Sequence, residues 1–173
     1  MNHFINALET SLNTQNWYSV LFISLTLPDI CGKIDEPDET SKNRTINWFN
    51  KYLKPVYTSN IGADRREHIF LSGSDFYALR CAYLHEGSDD ITSQRAQEVL
   101  EKFKFIQPIT NDFCIHMNQS NTTLQLQVDK FGKDVLDALR KWTIDISSDT
   151  KKVRKIDNLL KIEIVDPSKG FSF

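Results

Sequence analysis

The chain has 173 residues, of which 40% are hydrophobic, 11% aromatic and 25% charged, with 6 Gly and 5 Pro. This composition excludes a disordered, collagen-like or low-complexity chain, and the length suits one domain with a sizeable core. A net charge of −2 argues against coating duplex nucleic acid by bulk charge, while a local basic patch stays compatible with it.

Cys31, Cys81 and Cys114 are odd in number and far apart. No pair has CxxC spacing, so neither a disulfide framework nor a zinc site is indicated. Free thiols of this kind fit a reducing cytoplasm.

Phe4, Ile5, Leu8 and Leu12 form a stripe that predicts a short amphipathic helix over 2–12. From Trp17 to Ile34 the chain is apolar on almost every side, which predicts a helix inside a bundle. Its apolar run Tyr18–Leu27 is too short to span a bilayer. No Lys or Arg precedes Lys33, so the run lacks the charged leader of an export signal. Pro28 should kink or restart this helix, because proline removes a donor and crowds the preceding turn. Gly32 is read as permitting a helix end. Residues 35–40 read as a solvated acidic connector.

Ile46, Phe49 and Leu53 predict an amphipathic helix over 41–53. Residues 56–72 look irregular and polar. Ser72 and Asp75 then resemble a capping box, with a helix from about Ser74 to Glu86 that Gly87 ends.

Lys102–Phe105, Phe113–Met117 and Thr123–Val128 alternate with period two. They predict a small antiparallel sheet over about 102–128, with a turn at Asn118–Asn121. Phe113, Ile115 and Met117 would share its dry face with Leu124, Leu126 and Val128. His116 would be an ordinary exposed sheet histidine beside Gln125 or Gln127.

Helical spacing returns from Lys130 through Phe131, Val135, Leu139 and Trp142, and a last helix is predicted over about 149–162. Lys151, Lys152, Arg154 and Lys155 crowd its start, four cations within five residues. They are either a solvated helix face or a nucleic-acid contact. Positive charge near a helix N-terminus is slightly unfavourable, so a partner anion would help it.

The most informative stretch is Phe76–Gly87. Phe76, Leu79 and Tyr83 make one helix face, and Arg80 falls about 40° from Phe76, inside it. An arginine there cannot lose its proton, so it must reach water, a carboxylate or a phosphate. Asp29, a carboxylate in an apolar segment, is either a cap beside Pro28 or a partner that fixes the Arg80 guanidinium across the bundle. His85 lies five residues after Arg80, a rotation of about 140°. The two meet one target only if the helix ends near Leu84 or if a second copy supplies the other half.

Leu79-Arg80-Cys-Ala-Tyr-Leu-His85-Glu-Gly87 resembles the signature helix of HEPN domains, an arginine followed after four to six residues by a histidine. The resemblance implies a mainly α helical bundle of HEPN type spanning 1–173 as one domain, with the sheet at about 102–128 as a β-hairpin elaboration. It implies a homodimer in which two Arg/His motifs face one cleft. Many such domains are metal-independent endoribonucleases of toxin–antitoxin and other defence systems, so RNA and an antitoxin or other protein are the implied partners, with no cofactor, metal or membrane. Many catalytic members carry a polar residue directly after the arginine, where this chain has Cys81.

Under the resemblance, the substrate's own 2′-hydroxyl attacks phosphorus. His85 moves the proton and Arg80 clamps the phosphate with forked donors. A non-catalytic dimeric interaction or nucleotide-binding module is the alternative. A regulatory domain in which Arg80 captures a small anion is the third reading.

Overall fold

The computed structural model describes residues 1–109 and 113–162. Residues 110–112 of the predicted sheet region and 163–173 of the predicted domain therefore lie outside the described residues. The chain is mainly α-helical. In order it forms α1 (Asn2–Asn13), α2 (Trp17–Asp35), α3 (Ser41–Tyr52), β1 (Thr58–Ile61), β2 (Arg66–Ile69), α4 (Gly73–Glu86), β3 (Lys102–Ile106), β4 (Asn118–Ser120), β5 (Thr123–Gln127), α5 (Val128–Asp145) and α6 (Thr150–Asp157).

α2 is the central helix and touches α1, α3, α4, α5 and α6. Its sequence explains the position: Val20, Leu21, Leu25, Leu27, Cys31 and Ile34 are all buried, so neighbours must cover it on several sides. Pro28 is buried within α2 and does not end or restart it. A proline costs the helix one hydrogen bond, and packing on several sides outweighs that loss. Gly32 likewise sits inside the helix, which runs on to Asp35.

The physical role of Gly32 is close approach rather than helix termination. A Cβ built there would lie 2.6 Å from the backbone oxygen of Arg44 on α3. Backbone cannot swing aside as a side-chain tip can, so Gly32→Ala must push α2 and α3 apart. We expect a loss of about 1–3 kcal/mol in urea unfolding, in the range for overpacked cores. A midpoint equal to wild type would contradict the tight crossing.

Buried side chains of α1–α5, β3 and β5 form one cluster, which includes Leu8, Phe49, Phe76, Phe103, Phe131 and Trp142. Phe76 of α4 lies between Phe49 (centroids 4.8 Å apart) and Phe131 (6.5 Å). Aromatic pairs of this kind add about 0.5–1.5 kcal/mol beyond burial. The Trp142 indole donates to Asp35 Oδ2 at 2.8 Å, tying α5 to the end of α2.

The β structure differs from the sequence expectation in three places. Residues 58–69, expected to be irregular, form an antiparallel hairpin, β1–β2, whose turn takes positive φ at Gly62 and Arg65. Its strands are largely exposed, so no inside–outside alternation marked them. The second sheet is mixed, ordered β3-β5-β4, with β3 parallel to β5. Finally, Phe113–Met117 is no strand of this sheet. β4 occupies Asn118–Ser120, inside the predicted turn, and the chain reverses at Asn121 with φ 51°.

Phe113 is accordingly 55% exposed rather than on a dry face. Met117 adopts φ 52°, which interrupts any extended run. Gln127, expected on the wet face, is 4% exposed. Its side chain is satisfied at the start of α5, accepting from the Ile115 N–H and donating to Asp129. Such pairing offsets the cost of burying an amide.

Candidate functional site

The segment around Arg80 is set by α4. Ser72 caps it, its hydroxyl oxygen accepting the Asp75 N–H at 3.0 Å, and Gly87 closes it with φ 66°. Asp75, 1% exposed, has a second task. Its carboxylate accepts the backbone N–H groups of Glu98, Val99 and Leu100. The loop after α4 is thereby pinned back against the start of the same helix.

Arg80 points into the bundle and is 15% exposed as a side chain. Its Nη2 donates to Asp29 Oδ2 at 2.8 Å, which brings together two residues that the sequence singled out. The carboxylate has two further partners. Arg44 Nε of α3 donates to Oδ1 at 2.6 Å, and the Ser41 hydroxyl donates to Oδ2 at 2.9 Å. Asp29 therefore ties α2, α3 and α4 into one polar junction. Two guanidiniums share one carboxylate, which leaves one positive charge over. Arg80 makes no other hydrogen bond among the described residues, and its Nε is buried without an acceptor. A guanidinium carries five N–H donors, and buried donors call for acceptors.

Tyr77 lies one turn before Arg80, with the guanidinium carbon 5.8 Å from its ring centroid. Burial pushes the Tyr77 phenol up from its ordinary range, and the neighbouring Cys81 thiol adds to the rise. Cys81 itself is half-buried.

His85 lies in the last turn of α4 and is exposed, with no hydrogen bond among the described residues. The helix continues to Glu86, so it does not end early enough to turn His85 toward Arg80. Within one copy the two side chains diverge: Arg80 faces α2 and α3, His85 faces solvent.

The basic helix α6 is divided. Lys152 donates to Asp35 Oδ1 at 2.6 Å, and Lys155 donates to the Ile34 carbonyl at 3.1 Å. These two cations serve the C-terminal end of α2, where helix carbonyls favour positive charge. Asp149 caps α6, accepting from the Lys151 and Lys152 N–H groups. The Lys151 and Arg154 side chains make no ion pair among the described residues.

Sequence reasoning missed a second polar cluster. His116 is not an exposed sheet residue. Its side chain is 11% exposed, and Nε2 lies 3.0 Å from Asp134 Oδ2, which also accepts the Tyr57 hydroxyl at 2.9 Å. The irregular 113–117 segment turns His116 inward, so period-two alternation gave the wrong side. Burial, reinforced by the Asp134 charge, holds the Tyr57 phenol well above its ordinary value near 10. The folded state therefore keeps a proton that an unfolded tyrosine releases above about pH 10. Tyr57 contributes stability that is intact below that pH and is lost as pH rises further. In urea titrations, Tyr57→Phe should flatten the stability loss above pH 10 and cost about 1.5–3 kcal/mol at pH 7, the worth of a hydrogen bond to a charged acceptor. An unchanged alkaline slope would refute this.

Among the described residues, no group of three or more His, Cys, Asp or Glu side chains is placed to hold a metal ion. No described helix is long and apolar enough to cross a membrane. Fold and site together define a mainly α-helical domain built around a buried carboxylate shared by two arginines. No family model, no curated protein and no solved structure matches the chain.

Proposed function

We propose that this chain is a HEPN-like, metal-independent endoribonuclease acting in the cytoplasm as a homodimer, of the toxin or defence type that its signature helix resembles. The observation that carries the reading is the state of Arg80. Its guanidinium is fixed by Asp29, most of its donors are unused, and its Nε is buried with no acceptor. With Arg44 on the same carboxylate, the junction holds one surplus positive charge. The buried Nε is closed to an outside ligand, so a phosphodiester oxygen would meet the partly exposed Nη end of the guanidinium, where it would supply an acceptor and offset the charge. Fixed donors of this kind stabilise negative charge without reorganising during the reaction.

His85 would serve as the acid/base group, contributed to the partner copy's Arg80. Because α4 runs on to Glu86, one copy cannot bring the two side chains to one phosphate. Dimerisation has a surface that suits it. On α2, Tyr18 and Phe22 are 74% and 48% exposed, and Phe22 lies 5.1 Å from Tyr83 of α4. This apolar, uncharged strip adjoins the helix turns that carry His85. Covering it with a second copy would bring the two α4 ends together.

The burial of Arg80 also favours a second reading, a non-catalytic dimeric interaction module in which the ion pairs only hold helices together. Incubation of the purified protein with total RNA in the presence of a chelator separates the two. Endonucleolytic fragments are the expected result. A protein that is dimeric, folded and inert toward every RNA offered would favour the second reading.

A further inference from the structure

We infer that the groove between α4 and the loop after it binds the backbone and one base of a single-stranded RNA; the inference rests on the ribonuclease reading and locates its substrate. The groove is about 510 Å³ and is lined by Lys42, Tyr77, Cys81, Glu86, Gln94 and Arg95, with Ser93 and Ala96. Its floor is α4 itself, with Tyr77 and Cys81 on either side of Arg80 in sequence. Its far wall is the loop segment around Arg95, which Asp75 pins in place through the Glu98, Val99 and Leu100 amides. The wall is therefore held by a buried carboxylate rather than by surface contacts alone.

Lys42 and Arg95 are exposed, and neither makes an ion pair among the described residues. Glu86 is the one opposing charge in the lining, and its carboxylate already accepts from Gln94 at 3.0 Å. The groove thus carries a net single positive charge. Its chemistry is mixed: two cations for phosphates, an aromatic ring for a base, and amide and hydroxyl groups for hydrogen bonds. Proteins that hold single strands combine these features, with aromatic rings as stacking platforms. A duplex hides its base faces and could not use Tyr77. Glu86 of the lining is the chain neighbour of the exposed His85, while His85 and Arg80 themselves do not line the groove, so the inference concerns where the strand is held and not the reacting phosphate. The α6 cluster, half committed to the end of α2, is the weaker place for RNA.

The test is fluorescence anisotropy with a labelled, unstructured RNA oligonucleotide, with the His85→Ala protein as the uncleaving form. Added substitutions are the Lys42→Glu/Arg95→Glu pair, Tyr77→Leu, and Lys151→Glu/Arg154→Glu, with circular dichroism and thermal unfolding as folding controls. The groove pair should weaken binding at least tenfold and flatten its salt dependence, since fewer counterions are released. Tyr77→Leu should weaken it by about tenfold, in the range for one lost stacking contact. The α6 pair should leave it near wild type, and duplex RNA should compete poorly. Unchanged affinity in the groove pair, or loss confined to the α6 pair, overturns the inference. Binding that depends on the groove without any cleavage by the wild-type protein sustains the groove and removes the nuclease. Cleavage that needs His85, with KM unchanged in the groove pair, does the reverse. No binding of RNA at all removes both.

Discussion

Asp29→Asn is expected to destabilise the protein by about 3–5 kcal/mol, the range for removing one partner of a buried ion pair. Asparagine keeps the shape but removes the charge that holds Arg44 and Arg80, whose side chains are only 17% and 15% exposed. Two buried cations would then face each other without compensation. Neither can shed its proton, so the cost cannot be relieved by neutralisation. The Arg80→Met change should cost less, about 1.5–3 kcal/mol, the net worth of one hydrogen bond to a charged group. In that variant Asp29 keeps Arg44 and Ser41 as partners. The asymmetry is the diagnostic result in urea unfolding. Equal losses in the two variants would mean that Arg44 does not share the carboxylate in solution.

His85→Ala should leave the unfolding midpoint within about 0.5 kcal/mol of wild type, as for an exposed residue without special contacts. The same change should lower the rate of RNA cleavage by about 10²–10⁴, the usual contribution of a positioned acid/base group. Histidine is the side chain whose proton exchange falls naturally near neutrality. Loss of cleavage in this variant is readable because the fold is not at risk, whereas the same loss in Asp29→Asn would not be. Cleavage at the wild-type rate would remove His85 from the chemistry.

The helical part of the fold was legible because its signals are local. The Ser72 and Gly87 caps, the stripes of α1, α3 and α5, and the all-round apolarity of α2 each lie within one element. The Arg80–Asp29 contact was legible only as one of two readings of Asp29, the other being a cap beside Pro28: an arginine inside an aromatic helix face has few physical choices, and one carboxylate lay in the most apolar segment. Arg44 gave no such signal. It sits on an amphipathic helix among polar neighbours, where an arginine reads as solvated, and only the close crossing at Gly32 brings it to Asp29.

The sheet was less legible because its pairing is non-local. β3 meets β5 in parallel across the intervening segment, and nothing in either strand states its partner. Period two identifies a half-buried strand but not its direction or its neighbour. His116 was misplaced by the same rule, since residues 114–116 form no strand and so follow no alternation.

The end groups of the RNA fragments distinguish attack from within the substrate from attack by an outside nucleophile. In the proposed reaction the substrate's own 2′-hydroxyl attacks phosphorus, with Arg80 holding the phosphate and His85 moving the proton. Mass spectrometry of fragments made in chelator should find 2′,3′-cyclic phosphate on the upstream piece and a free 5′-hydroxyl on the downstream piece, both absent with His85→Ala. A 3′-hydroxyl opposite a 5′-phosphate would show attack by an outside nucleophile, and would contradict the account.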